Sequence, residues 1–162
     1  FNSITSLSTA PIVNVHLWYD RSVMSEDFTA FIDSPLEWVF NKNSIMGNAG
    51  ASGQYLSISL SGAFAYINQT KEELQRIFLD AMAEAFPKTS EAELERILIV
   101  KQDNATFRCL PGTESLRPKA ETSIENLLLA GDWTDTGWPS TMEGAVRSGL
   151  EASKAVSRRI WN

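Results

Sequence analysis

The sequence of 162 residues has little cysteine, little histidine and little positive charge. Its single cysteine, Cys109, excludes an internal disulfide and is typical of a reducing compartment. The formal net charge is -6 and no basic stripe is present, which argues against nucleic acid as a partner. No apolar run is long enough for a membrane span, and no metal-ligand spacing, phosphate-binding loop or nucleophile elbow occurs.

The composition is that of an ordinary globular protein, with 43% hydrophobic and 21% charged residues. The length fits one domain or a piece of one. No secretory signal is visible, so we expect a cytoplasmic protein. The chain begins with Phe1 rather than Met, which predicts a piece cut from a longer protein. A processed natural N-terminus is the alternative.

Alternating apolar and polar residues predict several strands. Pro11–Asp20 alternates as a strand with one wetter face, and Gln54–Ser61 is the clearest half-buried strand. Thr29–Ile32 and Glu37–Asn41 are short candidates. The apolar run Arg96–Gln102 predicts a buried strand.

A helix is predicted from Thr70, which has capping-box spacing with Glu73, and Pro87 ends it. Ser90–Glu95 is a candidate for one more helical turn, and Leu110–Ser123 is a long loop. Because the strands cluster instead of alternating with helices, the expected class is α+β, with a mainly antiparallel sheet and packed helices. We assign residues 1–110 to a substrate-domain portion, 111–126 to a connecting loop and 127–162 to a cofactor-binding portion.

The most informative segment is Leu127–Leu150, LLLAGDWTDTGWPSTMEGAVRSGL. It predicts a short buried strand over Leu127–Ala130, a loop, and a helix from Ser140 to about Arg158. Gly131 lets a ligand approach the backbone, and Asp132 follows the strand, where ligands of α/β sheets bind. The carboxylate accepts hydrogen bonds from sugar-alcohol hydroxyls.

The start of the last helix predicts a second contribution to the same site. Ser140 and Glu143 have capping-box spacing. The N–H groups of Thr141 or Met142, with the helix dipole, would favour a reduced flavin, whose pyrimidine end gains negative charge. Small residues at helical spacing would let the helix lie close to a sheet or a cofactor: Gly144, Ser148 and Ala152.

The segment GDWTDTGWPSTMEGAVRSG resembles the C-terminal flavin-binding motif of the flavin amine oxidase superfamily. Within that superfamily, PIVNVHLWYD, SPLEWVFNK and ATFRCLPGTESLRP resemble the squalene-associated FAD-dependent desaturases of bacteria. The resemblance covers nearly the whole chain but only the C-terminal part of such proteins. It implies that the final strand, loop and helix belong to an FAD-binding α/β domain.

The resemblance also implies roles for single residues. Asp132 would contact the ribityl chain, the backbone of Met142 would contact the flavin carbonyl near N1, and Trp138 and Thr141 would lie beside the isoalloxazine ring. Amine oxidases often carry an aromatic residue at the position of Thr141. The threonine therefore argues against an amine substrate and favours an isoprenoid chain.

The implied activity is that of an FAD-dependent oxidoreductase acting on a hydrophobic isoprenoid of the squalene or hydroxysqualene type by hydride exchange with flavin. The sequence identifies no catalytic side chain. The alternatives are a phytoene desaturase, an amine oxidase, or a non-catalytic module that keeps the fold. An oily substrate implies contact with a membrane surface.

The G-x-G-x-x-G segment that holds the ADP part of FAD in this superfamily is absent. We therefore expect the missing N-terminal FAD-binding part as a partner, and an isolated chain that is inactive and does not hold FAD tightly. Arg117 either approaches the cofactor or substrate or lies on the surface. Four residues are candidates for lining an apolar substrate tunnel, with structural roles as the alternative: His16, Trp18, Trp38 and Phe40.

Overall fold

The computed structural model describes residues 4–48, 50 and 52–161, with only the backbone of Trp161. Five strands form one antiparallel sheet in the order β2-β3-β4-β1-β5: β1 Thr9–Tyr19, β2 Phe28–Ala30, β3 Trp38–Asn41, β4 Gln54–Ser61 and β5 Leu94–Phe107. The α-helices are α1 Lys42–Ile45, α2 Lys71–Ala85 and α3 Met142–Trp161. Short 3-10 helices cover Ile4–Ser6, Pro87–Glu91 and Thr113–Leu116. The α+β prediction is confirmed.

The chain divides into two compact units. One, the sheet unit, is Ala10–Ala105; the other, the terminal unit, combines Phe1–Thr9 with Thr106–Asn162. The assignment of a substrate portion and a cofactor portion to the predicted ranges stays a prediction. No helix in the described ranges is both long and apolar enough to cross a bilayer.

The core of the sheet unit follows from alternation along its two central strands. Val15 lies opposite Ile58 and Leu17 opposite Leu56, and all four side chains are fully buried. Successive residues of a strand point to opposite faces, so this register collects the apolar side chains on one face. Helix α2 contributes three buried residues to the same cluster: Leu74, Phe78 and Met82.

The predicted capping box of α2 is confirmed. The hydroxyl of Thr70 accepts a hydrogen bond from the N–H of Glu73 at 3.2 Å, and the Glu73 carboxylate accepts one from the N–H of Thr70 at 2.8 Å. The carboxylate also accepts from the Thr70 hydroxyl at 3.0 Å, and the bonds donated by the backbone N–H and then by the hydroxyl of Thr70 lower the pKa of Glu73. The helix ends at Ala85, two residues before Pro87.

Strand β5 is not the buried strand that its apolar run predicts. Leu98 and Val100 are exposed and only Ile99 of the predicted range is buried. The reason is position, because β5 lies at the edge of the sheet beside β1. The helical turn expected at Ser90–Glu95 lies earlier, at Pro87–Glu91.

The prediction of a buried strand at Leu127–Ala130 is also wrong for this structure. The segment forms a single bridge, between Leu128 and Glu121, and Leu127 and Ala130 are exposed. A strand needs neighbours for its backbone N–H and C=O groups. The described residues provide this segment with no strand partner beyond that one bridge, and Leu127 bonds instead within a turn, to the carbonyl of Ile124 and the hydroxyl of Thr122.

Candidate functional site

The loop over residues 131–141 is attached at its start to the side of α3. Gly131 has a φ of 147°, a conformation that favours glycine, and its N–H donates to the Ser148 hydroxyl at 2.8 Å. That hydroxyl in turn donates to the carbonyl of Ala145 at 2.8 Å. Ser148 is fully buried. The small residue predicted on this helix face thus binds the loop through its hydroxyl.

A buried arginine organises the same loop. Arg117 donates from its terminal nitrogens to the carbonyls of Asp132 (2.9 Å), Thr134 (2.6 Å) and Trp138 (2.8 Å). It also forms an ion pair at 2.8 Å with the exposed carboxylate of Glu114. Only 5% of Arg117 is exposed, so the surface interpretation of this residue is wrong. The sequence gives no sign of this role, since its three carbonyl partners are main-chain groups 15–21 residues away.

The carboxylate of Asp132 contacts the hydroxyl of Ser140, which donates to it. The predicted capping box between Ser140 and Glu143 is therefore wrong. The N–H of Gly144 instead donates to the Thr141 hydroxyl at 3.2 Å, one residue later. Ser140 and Thr141 both precede the helix and both carry a hydroxyl. Because the Ser140 hydroxyl is bonded to Asp132, Thr141 is the residue that caps the helix.

The closest approach between the loop and α3 is at Gly144. A Cβ atom added at Gly144 would lie 2.5 Å from the backbone oxygen of Pro139. Any other residue here would force the loop and the helix apart. The predicted small-residue face is thus buried at Gly144 and Ser148, and Ala152 is partly buried.

The outer side of the loop carries the remaining predicted residues. Trp138 is 41% exposed and its ring lies 4.2 Å from the guanidinium carbon of Arg147, which pairs with Glu143 at 2.8 Å. The side chain of Met142 is largely exposed. Within the described ranges, the N–H groups of Met142 and Glu143 have no acceptor. Two free donors therefore lie at the N-terminus of a helix of 20 residues.

A second group of residues lies on the sheet face opposite the core. Phe28 pairs with Phe40, Phe40 with Ser57, and Ser57 with His16 across four neighbouring strands. Aromatic rings border the central serines on both sides: Phe28, Trp38 and Phe40 on one side, and Trp18 and Tyr55 on the other. We call this surface the aromatic face. All four predicted lining residues, His16, Trp18, Trp38 and Phe40, lie on it.

Within the aromatic face, Tyr55 joins two of the predicted residues. Its ring stacks on Trp18 with centroids 4.6 Å apart, and its hydroxyl is 2.8 Å from Nδ1 of His16. Burial, and then the charge of Lys42, lower the pKa of His16. The alternation of β4 placed Tyr55 on this face, but its partner could only be identified from the register between β4 and β1.

The predicted cofactor residues all belong to the terminal unit, and the predicted lining residues all belong to the sheet unit. Among the residues that the structure describes, no cluster of His, Cys, Asp or Glu could hold a metal ion.

Comparison with known proteins gives consistent matches. A family model described as flavin containing amine oxidoreductase matches residues 1–157. The chain is 34% identical over 142 residues to a hydroxysqualene dehydroxylase of Sinorhizobium fredii, covering 88% of this chain and 31% of that protein. It is 28% identical over 165 residues to a 15-cis-phytoene desaturase of Synechococcus elongatus, covering 98% of this chain and 35% of that protein.

Among solved structures, cyclohexylamine oxidase of Brevibacterium oxydans superimposes with a TM-score of 0.72 at 14% identity, covering 99% of this chain and 38% of that chain. That likeness shows a shared fold. The chain spans about a third of the length of the curated relatives it matches. A family model that matches nearly every residue settles the membership: the chain belongs to the flavin-containing amine oxidoreductase family.

Proposed function

We propose that this chain is the C-terminal part of an FAD-dependent oxidoreductase that acts on a hydrophobic isoprenoid of the hydroxysqualene type. The observation that carries the cofactor part of the proposal is the position of the Asp132 carboxylate, which accepts from Ser140 two residues before α3. An acceptor for hydroxyl groups thus lies in the loop that leads into a helix whose first two N–H donors are unused by the described residues.

The residues present fit a flavin. Asp132 accepts one hydrogen bond, from Ser140, and a carboxylate has further acceptor positions for the hydroxyls of a ribityl chain. The N–H of Met142 would donate to the flavin carbonyl near N1. Trp138 and Thr141 would lie beside the isoalloxazine ring. The space that a Cβ atom would take at Gly131 is filled by the indole of Trp133, so the predicted approach of a ligand to this backbone has no support in the structure.

The bound flavin would supply hydride exchange at N5. The chain itself contributes orientation and electrostatics. Free N–H groups at a helix start favour negative charge in front of them, so Met142 and Glu143 would stabilise the reduced, more negative form.

The aromatic face supports an apolar substrate. His16, Trp18, Trp38 and Phe40 would line the surface that the isoprenoid occupies. Thr141 stands where amine oxidases often carry an aromatic residue, which supports an isoprenoid over an amine. The hydroxysqualene dehydroxylase among the relatives, at 34% identity, points to the same substrate class. A substrate of this kind is delivered from a membrane surface, so we include peripheral membrane contact in the proposal.

We further propose that the partner of this chain is an N-terminal FAD-binding part of the same protein. The chain covers only 31–35% of its curated relatives and lacks the Gly-rich segment for the ADP moiety. The isolated chain would then be inactive and would not retain FAD.

Replacing Asp132 by alanine in the full-length protein tests the cofactor site. Loss of a hydrogen bond to a charged group costs about 1.5–3 kcal/mol, so we expect flavin binding weaker by roughly 10- to 100-fold. Visible absorbance per protein after gel filtration measures retained flavin. Glu125→Ala removes an exposed carboxylate from the same unit and should keep the flavin. Unchanged flavin content in Asp132→Ala would show that Asp132 is not part of the flavin site.

Turnover by the full-length protein tests the substrate class. We expect consumption of hydroxysqualene with a flavin reductant, and no turnover of phytoene or primary amines. Turnover of phytoene or an amine instead would identify one of the other branches of the family. A purified protein without flavin absorbance would favour a non-catalytic module.

A further inference from the structure

Two side chains of the aromatic face, His16 and Tyr55, are hydrogen-bonded to each other. The Tyr55 hydroxyl lies 2.8 Å from Nδ1 of His16 and both side chains are partly buried. Neighbouring side chains fix the Tyr55 ring in position. It stacks on Trp18, and the guanidinium of Arg96 lies 4.8 Å from the Trp18 ring centroid. The pair is therefore fixed in position on a largely apolar surface.

The imidazole of His16 is neutral at pH 7. Burial and the nearby ammonium of Lys42 lower its pKa. Neutral histidine has one ring nitrogen that donates and one that accepts.

When a neutral histidine is hydrogen-bonded to a tyrosine, the pair as a whole keeps one donor and one acceptor that are not used in the bond between them. This holds for either tautomer of the histidine. If the hydroxyl donates to Nδ1, then Nε2–H is the free donor and the phenolic oxygen still accepts. If Nδ1–H donates to the phenolic oxygen, the hydroxyl is the free donor and Nε2 accepts. An alcohol has the complementary set, because its hydroxyl both donates and accepts.

We propose that the His16–Tyr55 pair recognises the hydroxyl group of an isoprenoid alcohol, and thereby distinguishes it from an isoprenoid hydrocarbon. The proposal rests on the proposed function and assigns to named residues the recognition of the substrate hydroxyl. A hydrocarbon would leave the free donor and acceptor of the pair without partners, which an apolar site disfavours. The rings around the pair would contact the hydrocarbon chain of either ligand.

There is room for a ligand beside the pair. A cavity of about 520 Å³ is lined in part by Tyr55. Its other lining residues are Lys42, Asn43, Met46, Asn48 and Gly50. Pockets for small ligands have about this size, roughly 300–1,000 Å³.

The test compares farnesol with farnesene, which share a carbon skeleton. Farnesene has one further carbon–carbon double bond in place of the hydroxyl. Dissociation constants are measured on the full-length protein by quenching of tryptophan fluorescence, for wild type and for the double variant His16→Phe, Tyr55→Phe. The variant keeps aromatic rings at both positions and removes the polar pair. We expect the Kd of farnesol to rise about tenfold, since its hydroxyl loses its partners, and the Kd of farnesene to stay within about twofold.

Tyr66→Phe is the matched control. It also removes a phenolic oxygen, but from a ring that packs on Phe78 in the core of the sheet unit. It should leave both constants unchanged. An unchanged farnesol Kd in the double variant would overturn the proposal, and so would an equal loss for both ligands, because that pattern reports ring packing.

The two proposals fail differently. If both ligands bind to wild type and the double variant alike, the isoprenoid substrate class stands and the role of the pair is wrong. If neither ligand binds to wild type while flavin is retained, the isoprenoid class is wrong and the role of the pair is wrong with it.

Discussion

Tyr19, at the end of β1, places a phenol in the core of the sheet unit. Only 3% of the residue is exposed, and burial raises its pKa to about 12. The folded pKa lies above the unfolded one, so the neutral phenol contributes its full stability below pH 10. That contribution falls as the pH rises from 10 to about 12.

The expected loss is about 3 kcal/mol of unfolding free energy by pH 12, at about 1.4 kcal/mol per pKa unit. Urea unfolding at pH 9 and at pH 11.5 measures it. Tyr19→Phe should lose less stability between these two values than wild type does. Equal losses in the two proteins would show that another group causes the alkaline unfolding.

At the scale of single residues, chemistry was predictable where it depends on residue type and local spacing. Asp132 was picked out because a carboxylate follows an apolar segment, and the structure finds it in an ordered loop beside α3. The cap at Thr141 was missed by one residue, since Ser140 and Thr141 offer the same hydroxyl. Arg117 was missed because its carbonyl partners are distant in sequence and belong to the main chain.

At the scale of elements, the capping box of α2 allows a sharp test. Thr70→Ala removes the hydroxyl that accepts from Glu73 N–H, and loss of such a cap costs about 1 kcal/mol. We expect a lower midpoint in thermal or urea unfolding. Thr70→Ser keeps the hydroxyl and should behave as wild type. Equal stability of Thr70→Ala and Thr70→Ser would exclude a contribution from the cap.

Elements with a clear period were predicted from the sequence, and those that depend on neighbours were not. The alternation of β1 and β4 matches the buried and exposed faces that the sheet shows. β5 has an apolar run typical of a central strand, yet its edge position exposes Leu98 and Val100. Leu127–Ala130 has the same kind of run and forms one bridge, because pairing needs strands that the described residues do not supply.

At the scale of the whole molecule, α3 is apolar on two sides. One side is buried at Gly144, Ser148 and Ala155. The other is exposed and carries Met142, Val146, Leu150, Val156 and Ile160. We call these five residues the α3 stripe. In the proposed full-length protein the upstream FAD-binding part would cover it.

The α3 stripe predicts that the isolated chain self-associates, since contiguous exposed apolar surface drives association. We expect light scattering to show species larger than a monomer at micromolar concentration. Val146→Lys combined with Leu150→Lys should restore the monomer, whereas Val146→Leu with Leu150→Met should not. A monomeric wild-type chain would contradict the prediction.

The family and the fold class were predictable at this scale, because a dense motif and clustered strands carry them. The assignment of residues 1–110 and 127–162 to different functional portions stays a prediction. The compact units are Ala10–Ala105 and, together, Phe1–Thr9 and Thr106–Asn162, a division that joins the two ends of the chain. Contacts between distant ends of a chain leave no local pattern in composition.

Arg117 also restricts the conformations open to the loop over residues 131–141. The hydrogen bond from Arg117 to Trp138 joins positions 21 residues apart, and those to Asp132 and Thr134 join points between them. One side chain thus closes the intervening backbone into a ring, as a covalent crosslink would. The conformational entropy of the loop is lost when the chain folds, and little is left to lose when a ligand arrives. The loop is preorganised, so in the proposed flavin site the affinity would depend on Asp132 and the helix start rather than on the cost of ordering.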